Sequence, residues 1–394
     1  MQFTSSILST LLKPLDRRHF RTLVERFEAD AYDKSFSSWQ HLVALVFAQI
    51  SGAHSLRAIE AGFNAQSHQH YHLHCDKLSR STLADANARR PIALFAAVLE
   101  SLMHGLGRKQ RTEAKAGLRL IDSTPIPLGQ MFDWPKATGH LRGLKLHVLH
   151  DLGEGIPQAA EITSATVNDL HFGVDLVLES GVTYVFDKAY CDYAWWTKIN
   201  ETGAFFVTRP KTNLRWKNQT PRLLETTQGD GFVVLSDHNV VHQNQGNAKL
   251  AIPLRRITIK RDKQQGGKIF DVISNDITRS AVAIAACYKA RWQIELFFKW
   301  VKQNLNIKSF IARNENAVRL QILAAMIAYV LIAIARKTAN ALSRSNLSPR
   351  RFAEMLASFV HTRRNINQID KPPPIHPSKA KTKINNLQME FNYA

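Results

Sequence analysis

The chain has 394 residues, with 52 Lys and Arg against 32 Asp and Glu, a formal charge of +20 and a pI near 10.0. That length supports more than one domain with a buried core. The cationic excess calls for a polyanionic partner, most simply nucleic acid, with a membrane surface as the weaker alternative. Cys75, Cys191 and Cys287 are far apart and form no CxxC, which argues against a disulfide framework and for a reducing compartment. The opening MQFTSSILSTLLKPLDRRHF has no basic region ahead of an apolar stretch, so no signal peptide is expected. The longest apolar run, residues 322–335, has 14 residues. That is short of the ~20 needed to cross a bilayer and fits a buried core helix.

Residues 1–110 read as helices. Apolar side chains recur at helical spacing over 11–27 and 38–51, with Ser38 placed as an N-cap and Gly52 ending the second segment. SLRAIEAGF is a further short helix. SRSTLADANARR, residues 79–90, can be capped by Ser79 or Ser81, and an apolar helix runs from Pro91 to Met103. The 79–90 helix would project Arg80, Asn87, Arg89 and Arg90. Short helices, glycine turns and a Ser/Arg/Asn-rich helix fit a helix-turn-helix reader of DNA. They fit a plain helical subdomain with a basic surface about as well, and the overall charge favours the DNA reading. HQHYHLHC, with His68, His70, His72, His74 and Cys75, lacks structural zinc spacing and is expected to be a polar loop.

From residue 115 the pattern changes. LRLIDSTPIPL is a strand carrying Asp122, GLKLHVLHD alternates as a second, and PQAAEIT returns as a third. A helix from about Asn168 follows, then the buried strand VTYVFDKAY with Asp187 at its end, the helix CDYAWWTKINETG and the strand AFFVTRPK. The order β-β-β-α-β-α-β is that of the ribonuclease-H-like core, in which the first and fourth strands lie side by side. Residues 211–278 interrupt it with alternating strands and Gly/Asn/Gln turns, a β-rich insertion whose edge Arg255, Arg256, Lys260, Arg261 and Lys263 would make basic.

A helix is then expected over residues 281–305, carrying Tyr288, Arg291, Glu295 and Lys302 within about 60° of one another, flanked by Trp292 and Lys299. Taken alone, this stripe is explained by i,i+4 pairing such as Arg291–Glu295 on a solvated face. Set after Asp122 and Asp187, Glu295 becomes a third carboxylate brought to the sheet. Oxygen ligands of this kind suit Mg²⁺. Two such ions can activate a water or a 3′-hydroxyl and stabilise the leaving oxygen. Arg291 and Lys302 would hold phosphate, Tyr288 would hydrogen-bond it, and Trp292 would stack on a base or pack. The remaining chain holds an apolar helix at 321–342, a shorter amphipathic one at 349–364 and a Pro/Lys-rich tail, KPPPIHPSKAKTK, expected to be disordered.

The string YKARWQIELFFKWVK, residues 288–302, resembles the Y-(2)-R-(3)-E-(6)-K signature of bacterial DDE transposases of the insertion-sequence-four family. IDST around Asp122, and VFDKAY with FFVTRPKTN, resemble that family's first two catalytic blocks. The likeness covers roughly residues 115–335, and residues 1–110 resemble the helical domain of one branch. Ala189 stands where many members carry Gly, a departure confined to the turn after the second acid. The resemblance implies an all-α DNA-binding domain (1–110), a ribonuclease-H-like core in two parts (115–210 and 279–342), the β-rich insertion (211–278) and a C-terminal helix with basic tail (343–394). It implies Asp122, Asp187 and Glu295 as catalytic residues and ligands of two Mg²⁺, with Mn²⁺ substituting. Its expected partners are terminal inverted repeats, target DNA and a second copy in a synaptic dimer, with no membrane. The expected place is the bacterial cytoplasm at the nucleoid, and the expected reaction is cut-and-paste transposition through a DNA hairpin. Two other readings stay open here: a non-catalytic DNA-binding derivative, and a nuclease without strand transfer.

Overall fold

A computed structural model describes residues 6–31, 33, 35–110, 117–138, 141–212, 214–243, 250–262, 264, 266–343, 346–360 and 362–371. Seven helices come first: α1 (Ile7–Leu11), α2 (Arg17–Arg26), α3 (Ser38–Ser51), α4 (Leu56–Asn64), α5 (His70–Leu73), α6 (Arg80–Arg89) and α7 (Ile92–Gln110). The helix expected over 11–27 is two helices, because Pro14 lies in the turn between them. Ser37, not Ser38, caps α3 by accepting from Gln40 N at 3.2 Å. Ser38 is instead buried against Asp30. Gly52 closes α3 at φ 69°, in the left-handed region. The histidine run is not a loop: it forms α5 and the 3-10 turn before it, with His70 Nε2 donating to Phe63 O at 2.9 Å.

The sheet begins with β1 (Leu118–Pro127), β2 (Ala137–Thr138), β3 (Leu141–Asp151) and β4 (Ile156–Ser164). After α8 (Asp169–Asp175) come β5 (Thr183–Phe186), α9 (Tyr193–Glu201) and β6 (Phe205–Thr208). β3 pairs antiparallel with both β1 and β4, while β1, β5 and β6 run parallel, so the spatial order is β4-β3-β1-β5-β6. The following strands are β7 (Trp216–Pro221), β8 (Gln228–Gly229), β9 (Phe232–His242), β10 (Leu254–Arg261) and β11 (Ile269–Ser274). They extend the same sheet rather than forming a detached unit. β11 joins β6 through only two residue pairs, Ile273 with Thr208 and Ser274 with Val207. The edge expected to be basic is neutralised at two residues: Arg255 is buried on Asp237 at 2.6 Å and Arg256 pairs with Asp271 at 2.7 Å. Lys263 lies outside the described residues.

Strand alternation sends Ile121, Leu149, Tyr184 and Phe186 to one face, against Phe172, Trp195, Trp196 and Ile199 of α8 and α9. Leu120, Val148 and Val185 face the other way, against α10 (Ala281–Ala290) and α11 (Trp292–Asn304). The 281–305 segment is thus two helices parted at Arg291, where Ile294 N bonds Arg291 O at 3.1 Å, one residue tighter than an α-helical step.

α12 (Glu315–Ser343) and α13 (Pro349–Phe359) complete the chain. α12 has an 18-residue stretch long and apolar enough to cross a membrane, but 78% of it is buried inside the fold, as befits a core helix. It packs on α3, α6 and α7, so the N-terminal helices and the sheet share one hydrophobic core. Asn306, just past α11, donates to Ala48 O and Ala53 O at 3.2 and 3.1 Å, while its amide donates to Gln49 Oε1 at 2.7 Å. The N-terminal helices therefore brace the end of α11.

Candidate active site

β1 and β5 run parallel with Ile121 opposite Phe186, so the next residues, Asp122 and Asp187, emerge side by side. β5 ends there because Asp187 caps a 3-10 turn, its Oδ1 accepting Lys188 N at 2.7 Å. Asp122 Oδ1 accepts Ser123 N at 2.8 Å. Glu295 lies in the first turn of α11, which packs on β1. Arg291 joins two of the acids: its Nη1 donates to Asp122 Oδ2 at 3.2 Å and its Nη2 to Glu295 Oε1. One guanidinium fork at the helix break thus ties the strand acid to the helix acid.

The electrostatics follow from this crowding. Burial pushes the Asp122 carboxyl up to about 6; the Ser123 amide and Arg291 oppose the shift, and the charges of Asp187 and Glu295 reinforce it. Burial alone would lower the Arg291 pKa, but Tyr288, Asp122 and Glu295 together raise it. All three carboxylates offer hard oxygen donors and repel one another, so a divalent cation of the Mg²⁺ kind fits the donor set. Among the described residues no three acid, His or Cys side chains already stand at ligand spacing. Arg291 is the cation that holds Asp122 to Glu295 here.

The stripe on the helices divides by burial. Tyr288 is 5% exposed, its ring against Phe270 at 5.8 Å and beside the Arg291 guanidinium at 5.9 Å, so its ring packs inward and is not offered on an open face. Burial raises its phenol pKa. Lys302 is half-buried, and burial together with nearby Lys308 lowers its pKa. Trp292 and Lys299 are exposed, and Trp292, at 56%, is not a packing residue. Trp292 borders a cleft of about 630 Å³ shared with Phe232, Arg261, Lys289 and Gln293.

Of the four residues expected on the 79–90 helix, only Arg80 and Arg89 reach solvent. Asn87 is buried with Oδ1 2.8 Å from His41 Nε2, and its carbonyl accepts Asn316 Nδ2 from α12. Arg90 is buried too, bonded to Asp30, Asp33, Ser38 and the carbonyls of Ala29 and Phe36. Those partners lie far away in sequence, and they turn two apparent surface groups into core ones. One cation near the site, Arg209, went unassigned in the sequence, and Arg261 was expected only on the basic edge of the insertion. Arg209 and Arg261 lie over Phe270 at 5.1 and 5.2 Å, and neither has an acidic partner among the described residues. Arg209 follows the β6 strand FFVT directly, and that adjacency to Asp187's strand was the available signal.

The sheet has the ribonuclease-H-like order, with Asp122 on β1, Asp187 just past β5 and Glu295 on α11 beyond the insertion. The family described as the transposase DDE domain matches residues 113–331, and a domain of unknown function (DUF4372) matches residues 4–74. The transposase y4zB of Sinorhizobium fredii is 49% identical over 79% of this chain and 85% of its own. The transposase of insertion sequence element IS5377 from Geobacillus stearothermophilus is 30% identical over 64% of this chain and 66% of its own. That of IS4SA from Synechocystis is 27% identical, over 64% and 70%. Among solved structures, the piggyBac transposase synaptic complex with hairpin DNA superposes with a TM-score of 0.50 at 11% identity, over 95% of this chain and 84% of that one. The chain belongs to the DDE transposase family and is an insertion-sequence transposase of the insertion-sequence-four type.

Proposed function

We propose that Asp122, Asp187 and Glu295 are the catalytic carboxylates of a cut-and-paste transposase and hold two Mg²⁺ ions, with Mn²⁺ able to replace them. The supporting observation is the Arg291 fork joining Asp122 to Glu295 beside Asp187. When bound, the ions supply Lewis-acid activation of the attacking oxygen and charge neutralisation at the leaving one. The chain's own side chains do the positioning. Arg291 carries a planar fork that can keep Glu295 with one N–H edge while offering another to the scissile phosphate. Lys302, Lys299, Arg209 and Arg261 line the approach with positive charge, Tyr288 buttresses Arg291, and exposed Trp292 offers a stacking face for a base.

Arg80 and Arg89 on α6 contact the phosphates of the terminal repeats. Residues 1–110 and 211–278 share the gripping of those ends, and a homodimer pairs two of them at the nucleoid. A freed 3′-hydroxyl attacks the opposite strand to form a hairpin, which is reopened before joining to target DNA. The piggyBac transposase, which shares the fold, was captured with hairpin DNA, and this favours a hairpin step here. Incubating the protein with Mg²⁺ and DNA bearing the inverted repeats that flank its coding region should give nicks, hairpins and joined products. Glu295→Ala should lose at least ~10³-fold in the nicking rate. Nicking by Glu295→Ala at the wild-type rate would overturn the assignment.

A further inference from the structure

Behind Asp122, on the opposite face of the sheet, lies a polar cluster with no part in the chemistry above. Asp122 shares its face with Leu120 and Thr124, so Ser123 points the other way. In the antiparallel register Ser123 sits opposite His147 and Pro125 opposite Lys145, which places Lys145 and His147 on Ser123's face. The first turn of α8 brings Asp169 to the same place. Asp169 Oδ1 accepts from Ser123 Oγ at 2.9 Å and from Lys145 Nζ at 3.1 Å. Lys145 Nζ also donates to Val167 O at 2.9 Å, pinning the chain as it enters α8. His147, fully buried, bonds Thr163 Oγ1 on β4 at 2.8 Å. The Tyr190 phenol, three residues past Asp187, lies close enough to Asp169 and Asp122 to feel both charges.

Among the described residues, the hydrogen-bonded link from this cluster to the acid on the other face runs through Ser123. Ser123, whose hydroxyl is held by Asp169, donates its own backbone N–H to Asp122 Oδ1 at 2.8 Å. Lys145 neutralises Asp169, so the cluster adds no net charge behind the site. It ties β1, β3 and α8 to the residue that orients Asp122, and groups that hold a metal-binding side chain in this way set its direction and its affinity for the ion.

We propose that Asp169, charge-balanced by Lys145, is a positioning residue for Asp122: through the Ser123 hydroxyl it fixes the amide that sets the orientation of the metal-binding carboxylate. This rests on Asp122 being a metal ligand. The test is a titration of the full chain with Mn²⁺ alone, followed by electron paramagnetic resonance, with thermal unfolding and DNA gel shifts on the same samples. Ser123→Ala removes one hydroxyl and Asp169→Asn one charge. Each should weaken Mn²⁺ binding ~10–100-fold while the unfolding midpoint and DNA affinity stay near wild type. The double variant should be no worse than the more severe single one, as expected for residues acting in series. Ser123→Thr, which keeps the hydroxyl, should restore the affinity. Mn²⁺ affinity within twofold of wild type in both folded single variants would overturn the proposal, as would loss of stability without loss of affinity. Asp122→Asn in the same titration separates the two layers. If it leaves Mn²⁺ binding intact, the ligand assignment itself fails. If it abolishes binding while Ser123→Ala and Asp169→Asn do not, only the positioning role fails.

Discussion

Asp122 carries the chemistry's clearest physical signature. Its carboxyl, raised to about 6, holds a proton more tightly in the fold than in the unfolded chain. The stability this adds is full below the unfolded pKa of ~4 and is lost as pH rises through about 6. Metal binding needs the ionised form and runs the opposite way. Mn²⁺ affinity should therefore fall steeply below pH of about 6 and level off above it, and an affinity flat from pH ~5 to ~7 would contradict the burial of this acid. A second contrast at this scale separates apparent DNA contacts from core ones. Arg90→Ala removes a buried guanidinium from Asp30, Asp33 and two carbonyls and should cost about 1–3 kcal/mol, read by chemical denaturation. Arg80→Ala and Arg89→Ala should leave stability within ~0.5 kcal/mol and flatten the salt dependence of DNA binding by about one each.

At the scale of elements, the helix pair α10–α11 shows what local pattern reveals and what it hides. The positions of Asp122 within the first strand, of Asp187 at the end of β5 and of Glu295 on the later helix were legible because alternation and periodicity set them directly. The break at Arg291 was not, since its backbone stays in helical dihedrals and it is marked by tightened three-residue bonds, Arg291 N to Tyr288 O and Ile294 N to Arg291 O. Asn87 and Arg90 were misread for a related reason: a 3.6-residue repeat cannot show that Asp30, His41 and Asn316 will converge on them. The transfer of the cap from Ser38 to Ser37 likewise depends on the distant pull of Asp30 on Ser38. Asn306 ties the end of α11 to α3 and to Ala53 just beyond it through three hydrogen bonds, two of them from its side chain. Asn306→Ala should cost ~1–3 kcal/mol, seen as a lower unfolding midpoint, and should slow cleavage more than it weakens DNA binding. Equal loss in both would argue that α11 is not what the N-terminal helices support.

At the scale of the whole molecule, the insertion is better understood as an extension of the sheet than as a separate module. Phe232, Val234, Ile257, Ile259 and Val272 belong to the same hydrophobic core as α10 and α12. Replacing residues 211–278 by a short linker would bare the β6 edge and that apolar face, so the shortened chain should aggregate on gel filtration. A monodisperse, folded product would show the insertion to be dispensable for folding. The charge of +20 acts at this scale too, steering DNA toward a surface whose buried arginines are already spent on Asp237 and Asp30, while Arg209 and Arg261 stand over Phe270 without an acidic partner among the described residues. The most direct measurement of the central claim uses Fe²⁺ in place of Mg²⁺ with ascorbate and peroxide, so that the metal cuts the polypeptide where it is bound. Fragments ending near residues 122, 187 and 295, suppressed by excess Mg²⁺ and lost in Asp122→Asn, are the expected result. Cuts clustered elsewhere, or cuts indifferent to Mg²⁺ and to Asp122, would contradict a metal centre built from Asp122, Asp187 and Glu295.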